Sequence, residues 1–158
     1  MNWFSWLVSG FLATLALSTM LATCQGLGLT RINLPYLLGT LVATDRERAK
    51  IYGFLLHLLT GWGFSIFYVL IFEARNNISW WLGLLLGLAH AMLVLTVGMS
   101  LLPGLHHRMA SEQHGPNPSR QLEPPGFLAL NYGYRTPLSI FLAHAVFGAI
   151  LGSLYHLR

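Results

Sequence analysis

A chain of 158 residues allows one compact domain. Hydrophobic residues make up 54% of it and charged residues 9%, against about 25% charged in an ordinary soluble domain, which excludes a water-soluble globule. The net charge of +4 comes from basic residues spread over several connections, and this excludes a concentrated nucleic-acid surface.

Four apolar runs, at residues 3–24, 51–72, 78–102 and 137–157, each reach the roughly 20 residues that cross about 30 Å of hydrocarbon. The expected fold is all-α: one integral membrane domain, a bundle of four transmembrane helices. The first run has no basic leader, since Met1 and Asn2 open straight into Trp3, and it is longer than a secretory apolar stretch. It reads as a retained helix. Cys24 is the one cysteine, so no internal disulfide forms and no redox compartment is implied.

The first connection carries Leu34, Leu37, Leu38, Leu41 and Val42 at i, i+3, i+4, i+7 and i+8, one apolar helix face. With Asn33 as cap and Pro35 in the first turn, residues 33–43 read as a short interfacial helix. It lacks the lysine and arginine of a lipid-surface anchor, so packing against the bundle is expected. Thr44-Asp45-Arg46-Glu47 fits a capping box, with Thr44 bonding forward and Glu47 reaching back. Asn76 and Asn77 form the tight turn into the third helix. Asn77-Ile78-Ser79 matches a glycosylation acceptor but sits hard against the membrane.

Residues 103–136 form the long polar connection. Pro103, Pro116, Pro118, Pro124 and Pro125, with Gly104, Gly115 and Gly126, oppose a long helix. Phe127, Leu128, Leu130, Tyr132 and Tyr134 predict that the second half docks on the bundle or membrane. Thr136-Pro137 then reads as a cap and first turn for the last helix.

Basic residues are distributed unevenly. Arg31, Arg46, Arg48, Lys50, Arg108, Arg120 and Arg135 lie on one side, and Arg75 and Arg158 on the other. The positive-inside rule places the two longer loops in the cytoplasm and both termini outside.

Two stretches share a pattern, His57-x3-Gly61-x6-Tyr68 and His144-x3-Gly148-x6-Tyr155. They predict two related helical hairpins about an axis along the membrane normal. His57 lies seven residues past Lys50, about 10 Å in, and His144 nine past Arg135, about 13 Å in. Two imidazoles at similar depth, beside Gly61 and Gly148 that let a flat group approach, could ligate a b-type haem. The plainer role is packing, with each ring bonded to a carbonyl or serine nearby for about 0.6–2 kcal/mol. His90 falls about one and a half turns deeper than His57, which makes it a poor third ligand and a candidate hydrogen-bond relay. His106, His107 and His114, with Glu112 near them, make a weak interfacial metal candidate at the exit of the third helix. Solvated loop side chains are their default reading.

No aspartate lies inside a span, and Glu73 sits near an external turn beside Arg75. That counts against a pump built on buried acids. No nucleophile–base pair, phosphate loop or dinucleotide fingerprint is present, so no catalytic residue is expected.

Four segments carry a resemblance: Leu34-Pro35-Tyr36-Leu37-Leu38-Gly39, Pro103-Gly104-Leu105-His106, Leu130-Asn131-Tyr132-Gly133 and His144-Ala145-Val146-Phe147-Gly148. In these the chain resembles small bacterial four-helix inner-membrane proteins of unknown function. The resemblance implies an inner-membrane location and no activity. The leading expectation is a non-catalytic component packing with partner subunits or with itself through its small-residue stripes. Haem-based electron transfer is the alternative, and a small transporter or lipid-handling protein the third.

Overall fold

The computed structural model describes residues 1–111 and 114–157. Glu112 and Arg158, named above, lie outside the described residues. The chain is all-helical: α1 (Trp3–Gly26), α2 (Leu34–Gly39), α3 (Arg46–Arg75), α4 (Trp80–Leu93), α5 (Met99–Leu105) and α6 (Thr136–Leu154). A π turn (Val94–Gly98) joins α4 to α5, and a 3-10 segment (Phe127–Tyr132) precedes α6. Among the described residues four helices are long and apolar enough to cross a membrane: Trp3–Gly26, Arg46–Arg75, the continuous Trp80–Leu105 and Thr136–Leu154. Large apolar side chains such as Phe4, Leu59, Phe67, Trp80 and Leu101 point outward and stand exposed. In an integral membrane protein such a surface belongs against lipid.

The inward face of α1 is made of small residues. Ser5, Ser9, Ala13, Thr14, Leu17, Ser18 and Leu21 recur at three- and four-residue spacing and are buried. Buried hydroxyls need partners, and the helix supplies them. Ser9, Thr14 and Ser18 each donate to the carbonyl four residues earlier, at 2.6, 2.7 and 2.8 Å. This slim face lets α1 pack on α3 at one side and on α6 at the other.

The contact of α4 with α6 is closer still. Gly83 and Gly87 lie against the backbone of Gly148 and His144, and Gly152 against that of Ser79, with no room for a Cβ on any of the four glycines. Backbone approaches of this kind are what small residues permit in membranes. The first hairpin uses larger groups: Gly10 meets Trp62 and Ser65, and Gly61 meets Thr14. Although α3 and α4 are joined by a tight turn at Asn76 (φ 46°), their backbones stay apart, and they meet through side chains, Phe64 and Tyr68 on His90.

Several local expectations are corrected. The cap of α3 is Asp45, whose carboxylate accepts from Arg48 N at 2.9 Å. An aspartate there satisfies a free N–H and also suits the positive helix end. Glu47 turns to Lys50 at 2.8 Å and does not reach back to Thr44. Thr136 is the first residue of α6 and not its cap, because its hydroxyl is engaged with that of Thr30 at 2.7 Å. Pro103 lies inside α5 and does not end the helix ahead of it. At the other end, α6 stops at Leu154, and Tyr155 is extended (φ −72°, ψ 137°).

The short α2 is capped by Asn33, which accepts from Tyr36 N at 2.9 Å. It rests on α3, with Gly39 against the carbonyl of Ala49 and the carbonyl of Pro35 over Gly53. The long connection folds back on itself. Leu122 N donates to Arg108 O at 3.0 Å and Ala110 N to Leu122 O at 3.2 Å. Leu128 and Ala129 hold left-handed backbone (φ 51° and 60°), which seats Ala129 and Tyr132 in the interior. Tyr132 OH donates to Glu123 O at 2.6 Å, and burial pushes its phenol up to about 12.

Candidate functional site: a histidine-lined intramembrane cavity

Between α3, α4 and α6, above α2, lies a cavity of about 290 Å³. Its chemistry is set by His57, His90 and His144, its flat walls by Phe64 and Phe147, and its far end by Val94, Gly98 and Met99 of the π turn and α5. The void exists because α4 packs on α6 and leaves α3, while the π turn displaces the helix after Leu93. Extra-residue turns of this type recur at functional sites.

His57 and His144 are both buried, and each is held through one ring nitrogen. His144 Nδ1 lies 2.9 Å from Ile140 O. A carbonyl only accepts, so Nδ1 carries the proton. His57 Nδ1 lies 3.1 Å from Ser18 Oγ. The Ser18 proton is already given to Thr14 O, so Nδ1 of His57 donates as well. In both neutral rings Nε2 is therefore a lone-pair acceptor, and neither Nε2 has a partner among the described residues. Among those residues the one fully enclosed side-chain polar atom lacking a partner is Trp62 Nε1. The two Nε2 atoms are thus not sealed by protein and open onto the void.

His90 differs from expectation. Its ring stands edge-to-face with His144 at 4.9 Å between centroids and lines the same cavity. The expectation set it about one and a half turns beyond His57, but α4 takes its register from α6: Gly87 abuts His144, which brings His90 alongside one turn later. Nδ1 of His90 meets Tyr68 OH at 3.0 Å, and Phe64 stacks on it at 5.0 Å. Phe64 and His90 also line a second void of about 350 Å³, with Phe67, Ile71, Leu86 and Leu93, in the cleft between α3 and α4.

The predicted glycines divide. Gly61 lines the cavity, with Thr14 behind it, whereas Gly148 is closed by the backbone of Gly83. The paired tyrosines also separate in role. Tyr68 serves His90, while Tyr155 lies beyond α6 and donates to Glu73.

The three histidines at the end of the third span do not converge. His106 is buried and fully committed: its Nε2–H donates to Leu37 O at 3.0 Å, and Nδ1 accepts from Arg108 N at 3.2 Å. It pins α2 to the long connection, and burial lowers its pKa. His107 stacks on its outer side at 5.7 Å and is exposed, as is His114. Among the described residues no group of three or more His, Cys, Asp or Glu side chains is arranged to hold a metal ion.

Sequence reasoning set Phe64 on one stripe with His57 and Gly61, but gave no site role to Ser18 or Phe147 and passed over the π turn. A signal existed for Ser18, since Ser9, Thr14 and Ser18 mark a polar stripe on an otherwise apolar helix. Compared with known proteins, the chain matches no family model, no curated protein and no solved structure.

Proposed function

We propose that this chain is a small multi-pass membrane protein that holds an apolar small molecule within its bundle, as a carrier or lipid-handling protein. The observation that carries this reading is the cavity between α3, α4 and α6, apolar in most of its wall yet open to two uncommitted imidazole acceptors. Ligand sites combine an apolar lining with a few placed polar groups in this way, in volumes of roughly 300–1,000 Å³. The cleft between α3 and α4 supports access from the bilayer side.

The expected role as a packing subunit was motivated by small-residue stripes. Gly83, Gly87, Gly148 and Gly152 are used inside the chain, so those stripes lend no support to a partner. A second reading, haem b between His57 and His144, is favoured by one observation: each ring is anchored through Nδ1 with Nε2 free, as in metal-ligating histidines. Against it stand a cavity at the bottom of the ligand range and Gly148 packed shut.

The wider reading is an inner-membrane protein with both termini outside and the two longer connections cytoplasmic, supported by the seven basic residues on that side. Two related hairpins are supported by matched contacts. His57, Gly61 and Ser65 meet Ser18, Thr14 and Gly10, and His144, Gly148 and Gly152 meet Gly87, Gly83 and Ser79.

Transfer into lipid nanodiscs, followed by native mass spectrometry and an absorption spectrum, tests these readings together. The proposal expects a retained small apolar molecule that is lost from Gly98→Phe, which adds a ring beside Val94 at the end of the cavity. A Soret band abolished by replacing His57 or His144 would establish haem instead. No retained molecule, together with no apolar probe that binds, would overturn the proposal.

A further inference from the structure

The ligand can be narrowed by the chemistry of the cavity, an inference that rests on the ligand-holding reading above. The Ile140 carbonyl and the Ser18 hydroxyl fix both His57 and His144 as Nδ1–H donors, so the site presents two bare acceptors. An acceptor left unmade in an apolar setting is unfavourable, and a ligand bringing a donor relieves it. To these two nitrogens a ketone, ester or ether offers only further lone pairs. The walls add shape: Phe64, Phe147 and the imidazoles are all flat, and Phe64 stacks on His90. The neighbouring cleft between α3 and α4 is apolar, lined by Phe67, Ile71 and Leu93, and shares Phe64 and His90 with the cavity, so an alkyl chain would pass beside that stacked pair toward lipid.

We infer that the cavity takes a lipid-soluble phenol or hydroquinone, its ring among Phe64, Phe147 and the imidazoles, its hydroxyl donating to Nε2 of His57 or His144, and its alkyl tail leaving between α3 and α4. The site binds this molecule as a neutral donor, and no electron or proton is transferred. Ser18 and the Ile140 carbonyl act as positioning groups that keep the two acceptors bare.

Calorimetric titration of the full chain in nanodiscs, with empty nanodiscs subtracted, would compare three probes: decylhydroquinone, its dimethyl ether and decylbenzene. Decylhydroquinone is expected to bind about tenfold more tightly than the ether, the worth of one to two neutral hydrogen bonds. His144→Phe and His57→Phe replace an acceptor by an apolar ring, and each is expected to shrink that preference several-fold. Should either variant fail to fold, Ser18→Ala frees His57 to change tautomer and is expected to weaken the same preference. If all three probes bind alike to the wild type, or if the preference survives in both histidine variants, the inference falls while the cavity still holds an apolar ligand. If none of the three binds, the ligand-holding reading falls with it.

Discussion

Replacing Gly148 by alanine puts the packing account under its heaviest load. A Cβ on Gly148 would stand 1.9 Å from the carbonyl oxygen of Gly83, whereas ordinary contact begins at 3.4 Å. The difference, 3.4 − 1.9, means that α4 and α6 must part locally by about 1.5 Å. The obstacle is backbone, so no rotamer change relieves it. Overpacking of this sort costs about 1–3 kcal/mol, set against a gain of up to about 1 kcal/mol from glycine-to-alanine helix propensity. With the full propensity gain, the net expectation is a loss of up to about 2 kcal/mol. Gly63→Ala is the matched control in a membrane helix, because a Cβ there meets nothing within 4 Å, and it should be neutral or slightly stabilising. Thermal unfolding in a mild detergent, followed by circular dichroism, reads both. A Gly148→Ala protein as stable as Gly63→Ala would refute the claim that these helices meet backbone to backbone.

Other expectations follow from the same contacts. Ser18→Ala removes the partner of His57 Nδ1 and should cost about 0.6 kcal/mol, the average for a hydrogen bond between membrane helices; a loss above about 2 kcal/mol would mean that Ser18 does more than anchor the ring. His106 predicts a pH dependence. Its folded pKa is lowered by burial, so the unfolded chain binds the proton more readily. That contribution to stability is complete above about 6.5, the ordinary histidine value, and is lost as pH falls below it toward the folded pKa. Thermal scans across that window should show the decline, and His106→Gln should make it shallower; equal slopes for both proteins would contradict the assignment. Replacing His106 by alanine should also loosen α2 from the long connection, with a cost of about 1–3 kcal/mol for the unpaired Arg108 N–H, since the Leu37 carbonyl keeps the Thr40 hydroxyl; faster amide exchange around Arg108 is the readout. Gly53→Leu, where the Pro35 carbonyl sits against the glycine, should release α2 from α3, with new protease cleavage between Arg31 and Arg46 as the readout.

Much of this fold was legible because membranes impose simple demands. Apolar length alone marked four spans, and the observed ends differ by a few residues. Asn33 was legible as a cap since an asparagine before proline in the first turn has few other uses. Thr44 and Thr136 were misread for a related reason: each is a good cap, but Asp45 is better placed, and the Thr136 hydroxyl has a buried partner in Thr30. Such competition is decided by tertiary contacts that local spacing does not contain.

The site was half legible. His57 and His144 were marked by their shared pattern, and both line one cavity. The place of His90 was hidden because depth was counted along one helix, whereas the register of α4 is set by glycines of another. The π turn was invisible for a different reason. One additional residue in an apolar helix alters no composition and little periodicity, yet it opens the end of the cavity. Glycine stripes announced close approach without saying whether a ligand or a backbone would fill the space, and at Gly148 it is a backbone.

The central claim is that the cavity receives an apolar molecule. The direct measurement is thermal unfolding in nanodiscs with increasing decylbenzene, for the wild type and for Gly98→Phe. A ligand at about 100 times its Kd adds roughly 2.7 kcal/mol to the folded state. The account predicts a rising Tm for the wild type and a flat response for Gly98→Phe, with the variant otherwise folded. Equal shifts in both proteins would place binding at the lipid-facing surface and contradict the cavity, as would a wild-type Tm that does not move.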